Sequence, residues 1–182
     1  GFFISFILYF ILGKRFNFKQ ILIYTSLGVL SHGLLDSLTS YGTSILWPFS
    51  KERIAWNFIS IVDPVFTFIL LIFLTFFLLF KSKKFINVGL TFSLIYLFVC
   101  IYQQYRVKNF IINNASKRGH EIERILIKPT IGNNILWRSI YQNKEHYVID
   151  AVYQPFFSKA KIFEGMTEKV IDTETIFPKL KL

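Results

Sequence analysis

The sequence predicts a membrane α-helical bundle of about three to four transmembrane helices, followed by a small β-rich C-terminal extramembrane domain. Three observations carry this expectation. Of 182 residues 53% are hydrophobic, 22 are Phe and only 18% of the chain is charged, a balance that a water-soluble domain of this size rarely shows. The apolar residues gather into four runs whose linkers are short and basic or longer and nearly neutral. After Tyr102 the composition changes to β-branched and aromatic segments broken by Pro, Gly and Asn.

The four runs are Phe2 to Leu12, Ile21 to Leu38, Ile61 to Phe80 and Ile86 to Tyr102. Crossing about 30 Å of hydrocarbon takes about 20 helical residues, with ~17 as a practical minimum. The third and fourth runs meet that length. The second meets it too but carries His32, Asp36 and several Ser and Thr. The first is short, and it opens Gly1-Phe2-Phe3-Ile4 without a Met, a basic leader or a small-residue cleavage site. The expected explanation is a sequence that starts inside a longer protein. The linkers Lys14-Arg15-Phe16-Asn17-Phe18-Lys19 and Lys81-Ser82-Lys83-Lys84 belong on the cytoplasmic side by the positive-inside rule. The second helix then runs outward, the third returns, the fourth exits, and the segment 41–60 shares the outer face with everything after Tyr102. With Trp47, Pro48, Phe49 and Trp56, that segment has the character of an interfacial loop able to roof a site.

Gln103 to Lys117 reads as a polar helical continuation ending at Gly119. Beyond it, Ile122 to Ile127, Ile135 to Tyr141 and His146 to Tyr153 read as an antiparallel meander of about three strands, and the tail from Lys159 is polar and unpatterned. The expected layout is therefore a transmembrane domain over 1–105, a helical stalk over 106–120 and a β domain with its tail over 121–182. The formal net charge of +10 lies between apolar runs and in the C-terminal part, without a nucleic-acid-binding motif, so no nucleic-acid partner is expected. One cysteine, Cys100, excludes a disulfide framework and a Cys-based metal site. There is no P-loop, dinucleotide fingerprint or Gly-x-Ser-x-Gly elbow.

Residues Ser31 to Thr43 carry the chemistry. His32 and Asp36 stand one helical turn apart inside an apolar run, and two ionisable groups at that depth suggest a site. Imidazole nitrogen and carboxylate oxygen are ligand types favoured by zinc and other divalent metals, although a catalytic zinc normally takes three protein ligands. The bland alternative is an i, i+4 hydrogen bond in which the pair satisfies itself. Asp63-Pro64 reads first as an N-cap followed by Pro at the first helical position, and second as a further ligand or base. Ser31, Thr39, Ser40 and Thr43 read as back-bonding hydroxyls, Gly33 as a point of close helix approach and Gly42 as a helix stop. His120 and His146 lack ligand spacing and read as surface residues.

At Ser31-His32-Gly33-Leu34-Leu35-Asp36-Ser37-Leu38-Thr39-Ser40-Tyr41-Gly42-Thr43, then Leu46-Trp47-Pro48-Phe49-Ser50 and Asp63-Pro64, the chain resembles the bacterial membrane-bound metal-dependent hydrolases of the YdjM type. Pro129, Asn133-Asn134 and Leu136-Trp137-Arg138 resemble the C-terminal extracytoplasmic part of some members. The resemblance implies a multi-pass protein of the bacterial inner membrane, with His32 and Asp36 as metal positions and Asp63 as a catalytic one. The implied cofactor is a divalent metal ion, zinc or alternatively manganese, and the implied partner is the lipid bilayer; a site at the lipid boundary further suggests an amphiphilic ester or phosphoester substrate, since such molecules partition to that depth. The family's upstream His-Arg-Gly-x-Thr-His-Ser motif and its earlier acidic motif have no counterpart in this sequence, so further ligands are expected before Phe2. The competing expectation is a noncatalytic membrane protein in which His32 and Asp36 lock helices together and the β-rich part is an interaction module. A proton pathway is a third reading, for which Phe66 to Phe80 offers only Thr67 and Thr75.

Overall fold

The computed structural model describes residues 2–170, which hold four helices and one four-stranded sheet. The chain divides into two compact units between Asn57 and Phe58.

The first unit contains α1 (Phe2–Leu12) and α2 (Phe18–Leu38). Asn17 starts α2 with a reciprocal capping box: its side chain accepts from the Gln20 amide at 2.8 Å, and the Gln20 side chain accepts from the Asn17 amide at 3.1 Å. The two helices are tied by a hydrogen bond between Ser5 Oγ and Thr25 Oγ1 and by edge-on packing of Phe2 and Tyr9 on Phe18. Beyond Leu38 the chain turns at Gly42, whose φ of +68° and closeness to the Ile54 carbonyl leave no room for a side chain. This corrects the helix-stop reading of Gly42, because α2 has already ended at its C-cap Thr39. Thr43 then pairs with Ile54, and the Trp56 amide donates to the Ser37 carbonyl at 2.8 Å, folding the aromatic loop back onto the end of α2.

The second unit opens with α3 (Pro64–Phe80), followed by α4 (Lys83–Lys117). The apolar run of Ile61 to Phe80 thus yields a helix of 17 residues, since Asp63 caps it and Pro64 occupies its first turn. α3 carries no charged residue and buries none of its side chains among the described residues. Phe66, Ile69, Phe73 and Phe77 are half-buried on one face and the rest is exposed, and a helix apolar all round with that much bare surface is stable in lipid and not in water. By length and composition α2 and α4 are able to cross a bilayer, while α1 and α3 are shorter apolar helices. α3 and α4 approach closely where a Cβ on Gly89 would lie 2.6 Å from the Phe73 Cβ, and Phe73 stacks on Phe92 at 5.6 Å. Gly89 and Ser93, four residues apart, let these helices meet closely, as small residues do in membranes.

α4 does not end with its apolar part. Its last turns bury Val107, Ile111 and Ala115 against a meander of β1 (Arg124–Pro129), β2 (Leu136–Gln142), β3 (His146–Tyr153) and β4 (Lys161–Lys169), antiparallel in that order. The stretch expected to be a stalk is therefore an amphipathic helix packed on a sheet. Trp137 and Tyr141 from β2, and Val148 and Val152 from β3, complete that core by the alternation proper to a sheet covered on one face.

The strand β4 corrects the expectation of three strands and an unpatterned tail from Lys159. It is an edge strand exposed along nearly its whole length, so backbone pairing with β3 holds it and no apolar alternation is required. Its Gly165 is constrained: a Cβ there would fall 2.2 Å from the Ile149 carbonyl oxygen, beside the register shift between Ile149 and Ala151. The remainder of the expected tail, residues 171–182, lies outside the described residues.

Candidate functional site

Thr25, Gly28, His32 and Asp36 recur at helical spacing along one face of α2, and that face borders a cavity of about 460 Å³ that Gly33 and Thr43 also line. His32 Nδ1 lies 3.1 Å from Asp36 Oδ2, and the two side chains are 74% and 38% exposed. A Cβ added at Gly28 or at Gly33 would meet nothing within 4 Å among the described residues. Gly33 therefore serves as open space beside the pair, not as the point of close helix approach expected from the sequence. That contact belongs to Gly89.

Of the hydroxyls expected to back-bond, Ser31 and Thr39 do so, as does Ser37, while Ser40 Oγ is buried without a hydrogen-bond partner among the described residues, which corrects the reading made for it. Ser31 donates to the Gly28 carbonyl at 3.0 Å, Ser37 to Leu34 at 2.6 Å and Thr39 to Asp36 at 2.7 Å. These bonds occupy the hydroxyls of Ser31, Ser37 and Thr39, while the imidazole, the carboxylate and Thr43 line the cavity. The pair is intrahelical, which corrects the interhelical lock to a contact within one helix. In donor chemistry His32 and Asp36 are two side chains of the types that divalent cations accept, whereas a catalytic zinc typically takes three protein ligands. Among the described residues no group of three or more His, Cys, Asp or Glu converges.

Asp63 belongs to the second unit, where it is buried. Its Oδ1 accepts from the Phe66 amide at 3.0 Å, which is the N-cap expected from the Asp63-Pro64 pair. The Tyr96 hydroxyl donates to the same carboxylate, 3.0 Å from Oδ1 and 2.8 Å from Oδ2. Tyr96 was not singled out by sequence reasoning; a phenol within the apolar run Ile86 to Tyr102 was its only signal, since a buried Tyr hydroxyl needs a partner.

Farther along the chain, Arg118 follows α4 as its C-cap and pairs with Asp150 at 2.9 Å and Glu164 at 2.9 Å. The other Asp150 oxygen accepts from the Gly165 amide at 3.1 Å. Beside them Tyr141 hydrogen-bonds His120 Nδ1 at 2.8 Å. Burial pushes the Tyr141 phenol above its ordinary range, and the Arg118 guanidinium works against that shift. His120 and His146 share a cleft of about 330 Å³ with Glu121, Asn143, Lys144 and Glu145. With Lys144 on Glu121 at 3.3 Å, that cleft is a mixed-charge surface.

Exposed apolar helices, two of them long and apolar enough to cross a bilayer, followed by a four-stranded antiparallel sheet are the architecture of a membrane-associated protein. The comparisons supply its family: the model described as YdjM inner membrane protein matches residues 1–107, and the chain belongs to that family. No curated protein and no solved structure matches the chain.

Proposed function

We propose that the protein is a membrane-bound metal-dependent hydrolase acting on an amphiphilic ester or phosphoester at the lipid boundary. The observation that carries this reading is the His32–Asp36 pair, exposed beside a cavity on an apolar helix whose glycines keep the space around it open. His32 Nδ1 and the Asp36 carboxylate would hold the ion together with at least one donor from outside residues 2–170. A divalent ion, zinc or alternatively manganese, supplies Lewis acidity toward water and ester oxygens. The chain's own contribution is to aim an imidazole and a carboxylate from one face of α2 and to admit a substrate beside Gly28 and Gly33. An amphiphilic molecule reaches such a site by partitioning into the bilayer. By the positive-inside rule Lys14 to Lys19 and Lys81 to Lys84 face the cytoplasm, which makes the protein multi-pass with its sheet outside.

The test is metal analysis of the intact purified protein, unsubstituted and with His32→Ala and Asp36→Ala. The expected result is zinc or manganese bound by the unsubstituted protein, with a loss of at least tenfold in affinity in either variant. Unchanged metal content in both variants overturns the proposal. The 3.1 Å contact favours one competing reading, a noncatalytic protein in which the pair stiffens α2. That reading expects no bound ion and a small loss of helix stability on substitution.

A further inference from the structure

The sheet has two ends, and they differ in chemistry. At one end lies the β2–β3 turn of Asn143, Lys144 and Glu145, near the place where α4 finishes. At the other end lie the β1–β2 turn around Ile131 and the β3–β4 loop around Phe157, whose residues are 78% and 102% exposed. The polar end is what an extramembrane domain presents to water. The apolar end calls for a different neighbour.

Hydrogen bonds fix the level of that second end relative to α3 and α4. The Gly132 amide donates to Ser60 Oγ at 2.9 Å and to the Val62 carbonyl at 3.1 Å, so the Ile131 turn is fastened to the residues that lead into α3. The Gln103 side chain donates to the Gln154 carbonyl at 2.6 Å, and Arg106 donates to the Pro155 and Phe156 carbonyls at 3.3 and 3.0 Å. The Phe157 loop is thereby fastened to α4 within a turn of Gln103. Starting from the basic cluster at Lys81 to Lys84, about 20 residues of α4 rise about 30 Å, the thickness of the hydrocarbon core, and reach Gln103. Both loops therefore stand where α3 and α4 meet the second face of the bilayer. Exposed Tyr102 and Tyr105 occupy the same stretch of α4, and the Arg106 guanidinium lies over the Tyr102 ring at 6.0 Å. Tyr and Arg side chains at that depth are the usual furniture of a headgroup boundary.

The geometry points to a lipid-docking surface on the sheet: the tips carrying Ile131 and Phe157 insert into the headgroup boundary of the bilayer that holds α3 and α4. The sheet then rests on the membrane instead of standing away from it, and the surface takes up lipid independently of any metal at His32 and Asp36. The occupant is lipid because the patch continues the exposed apolar surface of α3 and α4 without a break in level. Bilayer insertion of α4 is the one premise it shares with the proposed function.

The experiment places single thiols in the full chain, reconstituted into vesicles of phosphatidylethanolamine and phosphatidylglycerol. Ile131→Cys and Phe157→Cys report the two tips, Lys144→Cys reports the far end, and Leu94→Cys reports the buried depth of α4. Cys100 is fully buried and stays in place, with the unsubstituted protein as the labelling blank. Each thiol carries a small fluorophore, quenched either by nitroxide-bearing lipid or by aqueous iodide. Expected is at least threefold stronger lipid quenching at both tips than at position 144, and iodide quenching at 144 alone. Aqueous readings at both tips with a lipid reading at 94 overturn the docking surface and leave the membrane helices standing. Protection from both quenchers at the tips means that protein covers them, which also overturns it. An aqueous reading at 94 removes the bilayer premise, and the docking surface falls with it.

Discussion

Two carboxylates, each paired with a basic side chain, distinguish the two units of this chain. Asp36 meets His32 on an open face of α2, with 38% and 74% of the side chains exposed. Asp150 meets Arg118 with only 2% of its side chain exposed, and the Gly165 amide occupies its other oxygen. A buried carboxylate has lost its water, so its protein partners must replace every bond it gave up. An exposed pair beside a glycine-lined cavity is under no such demand and can exchange its mutual contact for a ligand. The comparison separates a carboxylate that holds structure from one that is available for chemistry.

The contrast predicts a ranking of stability effects. The largest belongs to Asp150→Ala, which removes a buried carboxylate, leaves Arg118 with Glu164 as its remaining ion partner and frees the Gly165 amide. Breaking a buried pair from one side costs about 3–5 kcal/mol, to be read from denaturant unfolding of the detergent-solubilised protein followed by tryptophan fluorescence. A loss below about 1 kcal/mol would erase the distinction between the two pairs. Asp63→Ala comes next, because it removes the cap of α3, worth about 1 kcal/mol, and leaves the Tyr96 hydroxyl without its partner, a further ~1–3 kcal/mol. Tyr96→Phe deletes the hydroxyl and keeps the cap, so it should cost about 1 kcal/mol by the same measurement. Equal losses in the two variants would mean that Tyr96, and not the cap, accounts for the burial of Asp63.

Legibility in the sequence followed closeness along the chain. The helices of the apolar runs were readable because apolar composition is itself the signal, and Asp63 as a cap was readable because Asp-Pro before an apolar run satisfies two local rules at once. The pairing of His32 with Asp36 was readable from a spacing of four. What escaped was held by partners distant in sequence or by backbone alone. β4 pairs through its main chain at an exposed edge, so its Glu, Gly and Lys residues gave no alternation to detect. The Arg118–Asp150 pair spans 32 positions, and Tyr96 reaches Asp63 across 33, separations that no helical or strand period encodes. Gly33 and Gly89 show the same limit. Both are glycines in apolar helices, and only the neighbouring helix decides which one faces space and which one faces Phe73.

The smallest stability effects should fall on the pair that the proposed chemistry needs most. An exposed i, i+4 pair contributes about 0.3–0.5 kcal/mol, so His32→Ala and Asp36→Ala should each shift unfolding by less than about 1 kcal/mol. A double-mutant cycle should return a coupling of similar size, measured in metal-free buffer on the detergent-solubilised protein. Small coupling together with lost metal binding is the signature of donors kept for a ligand. A coupling above about 2 kcal/mol would place His32 and Asp36 in the same category as Arg118 and Asp150. The open space at Gly28 and Gly33 would then have to be explained without an ion.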